Sequence, residues 1–191
     1  MAAAPKDQTV SGLDNVTVHI TGHNEEGKEY FVSSDKAQWV GFHENAIGMS
    51  VLYTTDFGAN LNDDEDIKKH REKMATRAVG LVNPNGTLFR MVDFAPGTPA
   101  LMHCTKSLDY GIIISGSLEA VLPSGEKVIM KPGDVCVQRG TGHGWRNCSD
   151  TEWARVCFIL QDIKPVVVNG KTMGEDFYGQ ESDVPPSGND P

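Results

Sequence analysis

The sequence has no apolar run approaching the roughly 18 residues of a membrane-spanning helix. Its opening, MAAAPKDQTV, lacks the basic-then-apolar order of a secretory leader, so none is expected. Cysteine is scarce: Cys104, Cys136, Cys148 and Cys157 are the only four in 191 residues, with no C-x-x-C spacing. That pattern excludes a disulfide framework and makes reduced thiols in a cytoplasmic setting the expectation. Positive charge is in deficit, with 17 Lys and Arg against 26 Asp and Glu, a formal net charge of −9. Phosphate contacts need clustered Lys and Arg, so neither nucleic acid nor an anionic membrane surface is the expected partner. The one dense charge run, NDDEDIKKHREK at 62–73, mixes both signs and reads as the solvated face of a helix.

What is present is β-pattern. NVTVHIT (15–21) alternates Val16, Val18 and Ile20 with polar neighbours, the period of a half-buried strand. EYFVS (29–33), QWVGF (38–42) and GMSVLYTT (48–55) follow between Gly, Asn and Asp breakers. The charge run is the single helix candidate, extending to Thr76 with Asn62 or Asp63 as cap. From Gly86 onward every segment reads as a short strand: TLFRMVDF, ALMHCT, DYGIIIS, LEAVL, KVIM, DVCVQ, GWRNC and WARVCFIL, separated by turns such as PNG, APG, PSGE and KPGD. Close, even spacing of short strands predicts an all-β sandwich or barrel in one domain. We place it at 13–163, with an N-terminal β arm. Residues 1–12 and the C-terminal extension 164–191, above all its end GQESDVPPSGNDP, are polar and Gly/Pro-rich and predict disorder.

Two stretches carry histidines in a recurring pattern. In PGTPALMHCTKSLDYGIIISG, Gly97, His103 and Gly116 fall into register with a Gly, His-x-His, Glu, Gly motif; Thr105 stands at the second His place and Asp109 at the Glu place. In KPGDVCVQRGTGHGWRN, Gly133, Gly140, His143 and Asn147 match a second motif of Gly, Pro-x-Gly, His and Asn, with Gln138 at the Pro place. The two motifs, spanning 97–116 and 133–147, resemble those of the cupin superfamily. The resemblance implies a cupin-type jelly-roll β-barrel with an N-terminal β extension and one short helix. A weaker resemblance, resting on LMHCTKSLDYGIIISG and VCVQRGTGHGWRN, is to the stand-alone small cupins of fungal secondary-metabolite pathways, and it implies a small organic substrate such as a polyketide or other aromatic intermediate. Fold alone does not settle the chemistry.

Alternate residues of a strand share a face, so His103 and Thr105 point one way and Cys104 the other. Asp109, Gly111 and Ile113 share a face on the next strand, as do His143, Trp145 and Asn147 later. A lumen holding His103, Asp109 and His143 therefore needs no strand out of phase. Three readings stand open. The two histidines serve as general acid and base oriented by Asp109, in a lyase or isomerase reaction (dehydration, decarboxylation or rearrangement). Alternatively, the same trio forms a two-His, one-carboxylate set for a divalent transition metal (Fe, Mn, Ni or Zn, weakly held or absent), as in a non-haem Fe(II) oxygenase or oxidoreductase. Or the barrel binds a small molecule without turnover. Substrate contacts are assigned to Thr105, Trp145, Gln138 and Arg90, the last because Arg in the apolar row Leu88, Val92, Phe94 either meets an interface or pairs with an anion such as a substrate carboxylate. Trp39, Phe42 and His43 cap the barrel mouth, build a dimer face or simply pack. The resemblance, more than the sequence itself, makes a homodimer the expectation, since such N-terminal arms can cover an open sheet edge by pairing with a second subunit.

Overall fold

The computed structural model describes residues 9–76 and 79–190. The chain opens with a hairpin, β1 (Thr17–His23) and β2 (Glu29–Lys36), then β3 (Val40–Phe42) and β4 (Ile47–Asp56). After helix α1 (Glu65–Thr76) come β5 (Gly86–Phe94), β6 (Ser107–Ser115), β7 (Leu118–Val121), β8 (Lys127–Met130), β9 (Val135–Arg139), β10 (Gly144–Asn147) and β11 (Ala154–Asp162). A two-residue hairpin, β12 (Val167–Val168) and β13 (Lys171–Thr172), leads into the C-terminal segment. A six-stranded antiparallel sheet has the order β3-β4-β5-β11-β6-β9; a three-stranded sheet has the order β10-β7-β8. One apolar cluster joins them, with Leu88, Val92, Ile113, Val156 and Leu160 from the large sheet and Leu118, Met130 and Trp145 from the small one. This is a jelly-roll all-β fold with a single α-helix among the described residues.

The strand phase follows the alternation in the sequence. On β6, Asp109, Gly111 and Ile113 are buried while Tyr110 and Ile114 face out. Gly116, at the end of the first motif, sits at φ +74°, and a Cβ there would come within 2.7 Å of the Ala154 Cβ, so only glycine makes this turn. Asn147 of the second motif is buried but does not line the cavity: its Nδ2 donates to the carbonyls of Phe94, Ala95 and Glu152 and ties the corner of three segments.

The hairpin and the residues ahead of it cover the outer face of the large sheet. Trp39 and Leu52 are buried there against Val16, Val18, Phe89 and Met91. Beneath Trp39 lies the Arg155 guanidinium, 4.8 Å from the ring centroid. It forms a two-pronged ion pair with Asp93 at 2.6 and 2.8 Å and donates to the Asp14 carbonyl at 2.7 Å. Ser11 donates to the same carboxylate at 2.5 Å. The expected N-terminal disorder thus stops short of Thr9–Gly12; residues 1–8 lie outside the described residues. Helix α1 starts at Glu65 after a 3-10 turn that carries no side-chain cap, against the expected role of Asn62 or Asp63. Its charged face is solvated as expected, but Ile67 is buried, and Asp66 accepts from the Tyr53 hydroxyl at 2.6 Å.

Two expectations need correction. ALMHCT is not a strand: only His103 and Cys104 make single bridges, to His143 and Asp176, and regular pairing begins at Ser107. Pro96 and Pro99 lack the N–H that a ladder needs, so the chain reaches the sheet late. The end of the C-terminal extension is packed rather than disordered. The backbones of Asp176 and Cys104 exchange hydrogen bonds at 2.7 and 3.1 Å. Ser187 is buried, accepting from the Val82 N–H and donating to Glu175. Asn189 is buried too, bonded to the Lys106 carbonyl and Asp162. Buried polar side chains hold this segment down together with Phe177 and Val184, which pack against the core; so few apolar residues among many polar ones read as disorder from composition alone.

Candidate active site

The site is built on a pair of histidines that face each other across a backbone bridge. His103 and His143 exchange both N–H···O bonds at 2.8 Å, which sets their side chains side by side. The ring centroids lie 4.4 Å apart at 61°. Each Nδ1 is tethered to a carbonyl two residues back, His103 to Leu101 at 3.0 Å and His143 to Thr141 at 2.9 Å. A carbonyl only accepts, so in the neutral ring Nδ1 carries the proton and Nε2 keeps its lone pair. Burial pulls both histidines below the usual imidazole range. For His143 the value falls to about 3, with the neighbouring His103 adding to the burial effect; for His103, Arg90 adds to it. Both rings are neutral bases at pH 7.

Deeper in the lumen, β6 brings Asp109 directly opposite Gln138 of β9. Burial pushes the Asp109 carboxyl up to about 6, against the downward pull of the Ser107 hydroxyl, the Arg90 charge and the Thr105 hydroxyl. Thr105 and Ser107 share a hydrogen bond of 2.7 Å. Arg90, almost fully buried on β5, donates through Nη2 to the carbonyls of Gly80 at 2.5 Å and Leu81 at 3.1 Å. Burial lowers it to about 10, which leaves it charged at neutral pH. Trp145 stands edge-on to Phe158, 5.5 Å between centroids, where Gly111 leaves room for both.

All seven residues chosen from the sequence, His103, His143, Asp109, Thr105, Trp145, Gln138 and Arg90, line one cavity of about 80 Å³. Cys104 is absent from that lining; it is buried on the other side, under the C-terminal segment. His43 stands at the mouth, where its N–H and ring engage Asp183 at 3.1 and 3.6 Å, while Phe42 and Trp39 pack. Sequence reasoning did not find the roof. Phe177 stacks on His103 at 6.3 Å, and Gln180, Glu181, Ser182 and Val184 close the mouth. Nothing in DFYGQESDV signals this; only the bridge from Asp176 to Cys104 places it.

The metal expectation meets a geometric obstacle. Among the described residues, no three His, Cys, Asp or Glu side chains are gathered as a metal ion requires. Asp109 shares the cavity with the histidines but does not close a three-donor set with them, and Thr105 supplies only a hydroxyl where a second imidazole would stand. The residues present do not fit a triad-held metal, and no step is derived through one.

Comparison with known proteins agrees with the fold and the motif positions. The cupin domain model matches residues 90–160. Over 188 residues the chain is 38% identical to the cupin-domain-containing oxidoreductase fogC of Aspergillus ruber, covering 91% of this chain and 89% of that protein. The chain belongs to the cupin family. This cupin is also 38% identical over 175 residues to phomopsin biosynthesis cluster protein D of Diaporthe leptostromiformis, covering 89% of the chain and 90% of the relative. Among solved structures it is similar to KdgF from Halomonas sp., at 19% identity and a TM-score of 0.43, over 66% of this chain and 86% of that one. No helix among the described residues is long and apolar enough to cross a membrane.

Proposed function

We propose that this cupin is a small-molecule enzyme of secondary metabolism that moves protons on an organic intermediate, in a lyase or isomerase reaction such as dehydration, decarboxylation or rearrangement. The observation that carries this reading is the anchored histidine pair, whose two Nδ1 tethers leave two bare Nε2 atoms on rings 4.4 Å apart that both line the cavity. Charging one ring raises the cost of charging the other, so the pair takes up one proton per event. Asp109, held near 6, is the group able to give a proton at close to neutral pH, with Thr105 and Ser107 beside it. Together they supply a base and an acid in a lumen dry enough to strengthen every charge interaction, worth about 10²- to 10⁴-fold in rate for each positioned group. The named biosynthesis-cluster relative supports a small organic substrate.

A second reading, an oxidoreductase, is favoured by one observation: the Aspergillus ruber relative carries that name. Deuterium uptake separates the two. The purified protein is incubated in D₂O with a panel of small ketones and keto acids, with and without prior chelation, while oxygen is monitored. Proton chemistry predicts deuterium at the carbon beside the carbonyl, insensitive to chelation, lost in the His103→Ala/His143→Ala double variant, with no oxygen uptake. Stoichiometric oxygen consumption that chelation abolishes sinks the first reading in favour of the second.

A further inference from the structure

The lumen holds a charge and several polar atoms that the proton chemistry does not use. Among the described residues, seven buried side-chain polar atoms have no hydrogen-bond partner, and four belong to residues that line this one cavity: two donors, Arg90 Nε and Trp145 Nε1, and two acceptors, Gln138 Oε1 and Asp109 Oδ1, of which only Asp109 is used by the proton chemistry. Buried Trp N–H groups ordinarily find an acceptor, and a buried donor without one costs about 1–3 kcal/mol. Two such donors around one space, Arg90 Nε–H and Trp145 Nε1–H, are the imprint of a partner that accepts hydrogen bonds.

Arg90 sets the sign of that partner. Its guanidinium is 4% exposed and forms no ion pair among the described residues; Asp109 reaches it only through its field. The two carbonyls at Nη2 orient the group without neutralising it. Arg155, the other buried arginine of the large sheet, is fully paired with Asp93. The fold thus pairs a buried guanidinium where it serves packing and leaves one without a direct ion pair where it lines the cavity. A buried charge is tolerated when paired, and the missing partner here is an anion. Around it the walls are apolar: Val92, Phe94, Leu101, Phe158 and Leu160 line the same space.

We propose that the lumen takes a small organic carboxylate, its charged oxygens against Arg90 Nε–H and the Trp145 N–H, and its carbon frame among these apolar side chains under His103 and His143. This names the substrate class of the same site; it rests on the proton-transfer reading only for the chemistry after binding.

The test is binding, not turnover. Calorimetric titration of the full-length protein at pH 7.5 compares sodium benzoate and sodium butyrate with benzamide and butyramide, matched in shape and lacking the charge. A hydrogen-bonded charge contact predicts the acids at least about tenfold tighter than their amides. Arg90→Gln should bring the acids down to the amide level. Trp145→Phe, which removes the N–H while keeping the aromatic face, should weaken the acids about threefold or more and the amides, whose carbonyl is a weaker acceptor, by less. If Arg90→Gln fails to fold, the wild-type ratio and Trp145→Phe decide. Equal binding of acid and amide, or no saturable binding of either acid up to about 20 mM, overturns the proposal. An acid-to-amide ratio near one with deuterium uptake intact removes the anion and leaves the proton chemistry standing; the converse pattern does the reverse.

Discussion

Replacing Asp109 by asparagine should stabilise the fold above pH 6 while removing the acid. A carboxyl held at about 6 instead of its ordinary 3.8 is costly to ionise in the folded protein, by about 3 kcal/mol at about 1.4 kcal/mol per pH unit. The sign is set by the raised value: the folded state binds more protons than the unfolded one between pH 4 and pH 6, so this group's contribution to stability falls as pH rises through that window. Below about pH 4 both states are protonated and wild type and variant should be nearly equal. At pH 4.5 the variant should lead by about 1 kcal/mol, and above pH 6.5 by about 3, less whatever the new amide loses in unmet hydrogen bonds. For a chain of this size that is a rise in Tm of about 5–10 °C at pH 7.5. His143, drawn down to about 3, acts in the opposite direction as pH falls, but equally in both proteins, so it cancels in the comparison. Urea unfolding at pH 4.5 and pH 7.5, followed by tryptophan fluorescence, measures the difference. A gap between variant and wild type that is the same at both pH values, or a variant less stable at pH 7.5, refutes the assignment of Asp109 as a buried, reluctantly ionised group.

Asp93→Ala strands the Arg155 guanidinium beneath Trp39 and should cost about 3–5 kcal/mol, whereas the double change Asp93→Leu/Arg155→Met should recover part of it, since a buried pair replaced by apolar side chains is close to neutral; a double variant as unstable as the two singles added together would contradict this. Gly111→Ala puts a Cβ 2.8 Å from Phe158 Cε1 and 3.4 Å from Trp145 Cζ2, and should destabilise by about 1–3 kcal/mol with a shifted tryptophan emission. An unchanged Tm there would mean the lumen wall is looser than described. Asn147→Ala releases three carbonyls at one corner and should cost at least about 2 kcal/mol in urea titration, without a selective loss of ligand binding, because the side chain does not line the cavity.

The strands of the large sheet were legible because their burial is one-sided: with a period of two, the polar residue that falls in phase with apolar neighbours must point inward. That rule places Arg90 with Leu88 and Val92, and Asp109 with Gly111 and Ile113, and it separates Cys104 from His103. It fails for residues 100–106, whose backbone bonds go to the distant His143, Asp176 and Gln180. Such partners leave no periodic trace. The same holds for the C-terminal segment, since Asp176 and Ser187 are held by contacts with Cys104, Val82 and Glu175 that no spacing encodes. Asn147 shows the opposite difficulty: the motif identifies the residue, and only the structure reveals that it ties a corner instead of touching the lumen.

The bridge between Cys104 and Asp176 gives this cupin a built-in clock. Cys104 is 1% exposed, its thiol lies 3.7 Å from the Gly140 carbonyl, and the C-terminal segment that covers it is the one that roofs the cavity. Burial and the nearby Asp176 also hold the thiol in its unreactive, protonated form. A thiol reagent can therefore modify Cys104 only during the intervals when that segment is lifted. The rate of labelling at this one position, set against the half-buried Cys136 and Cys148 in the same molecule, counts how often the roof opens. It does so with no substrate in hand.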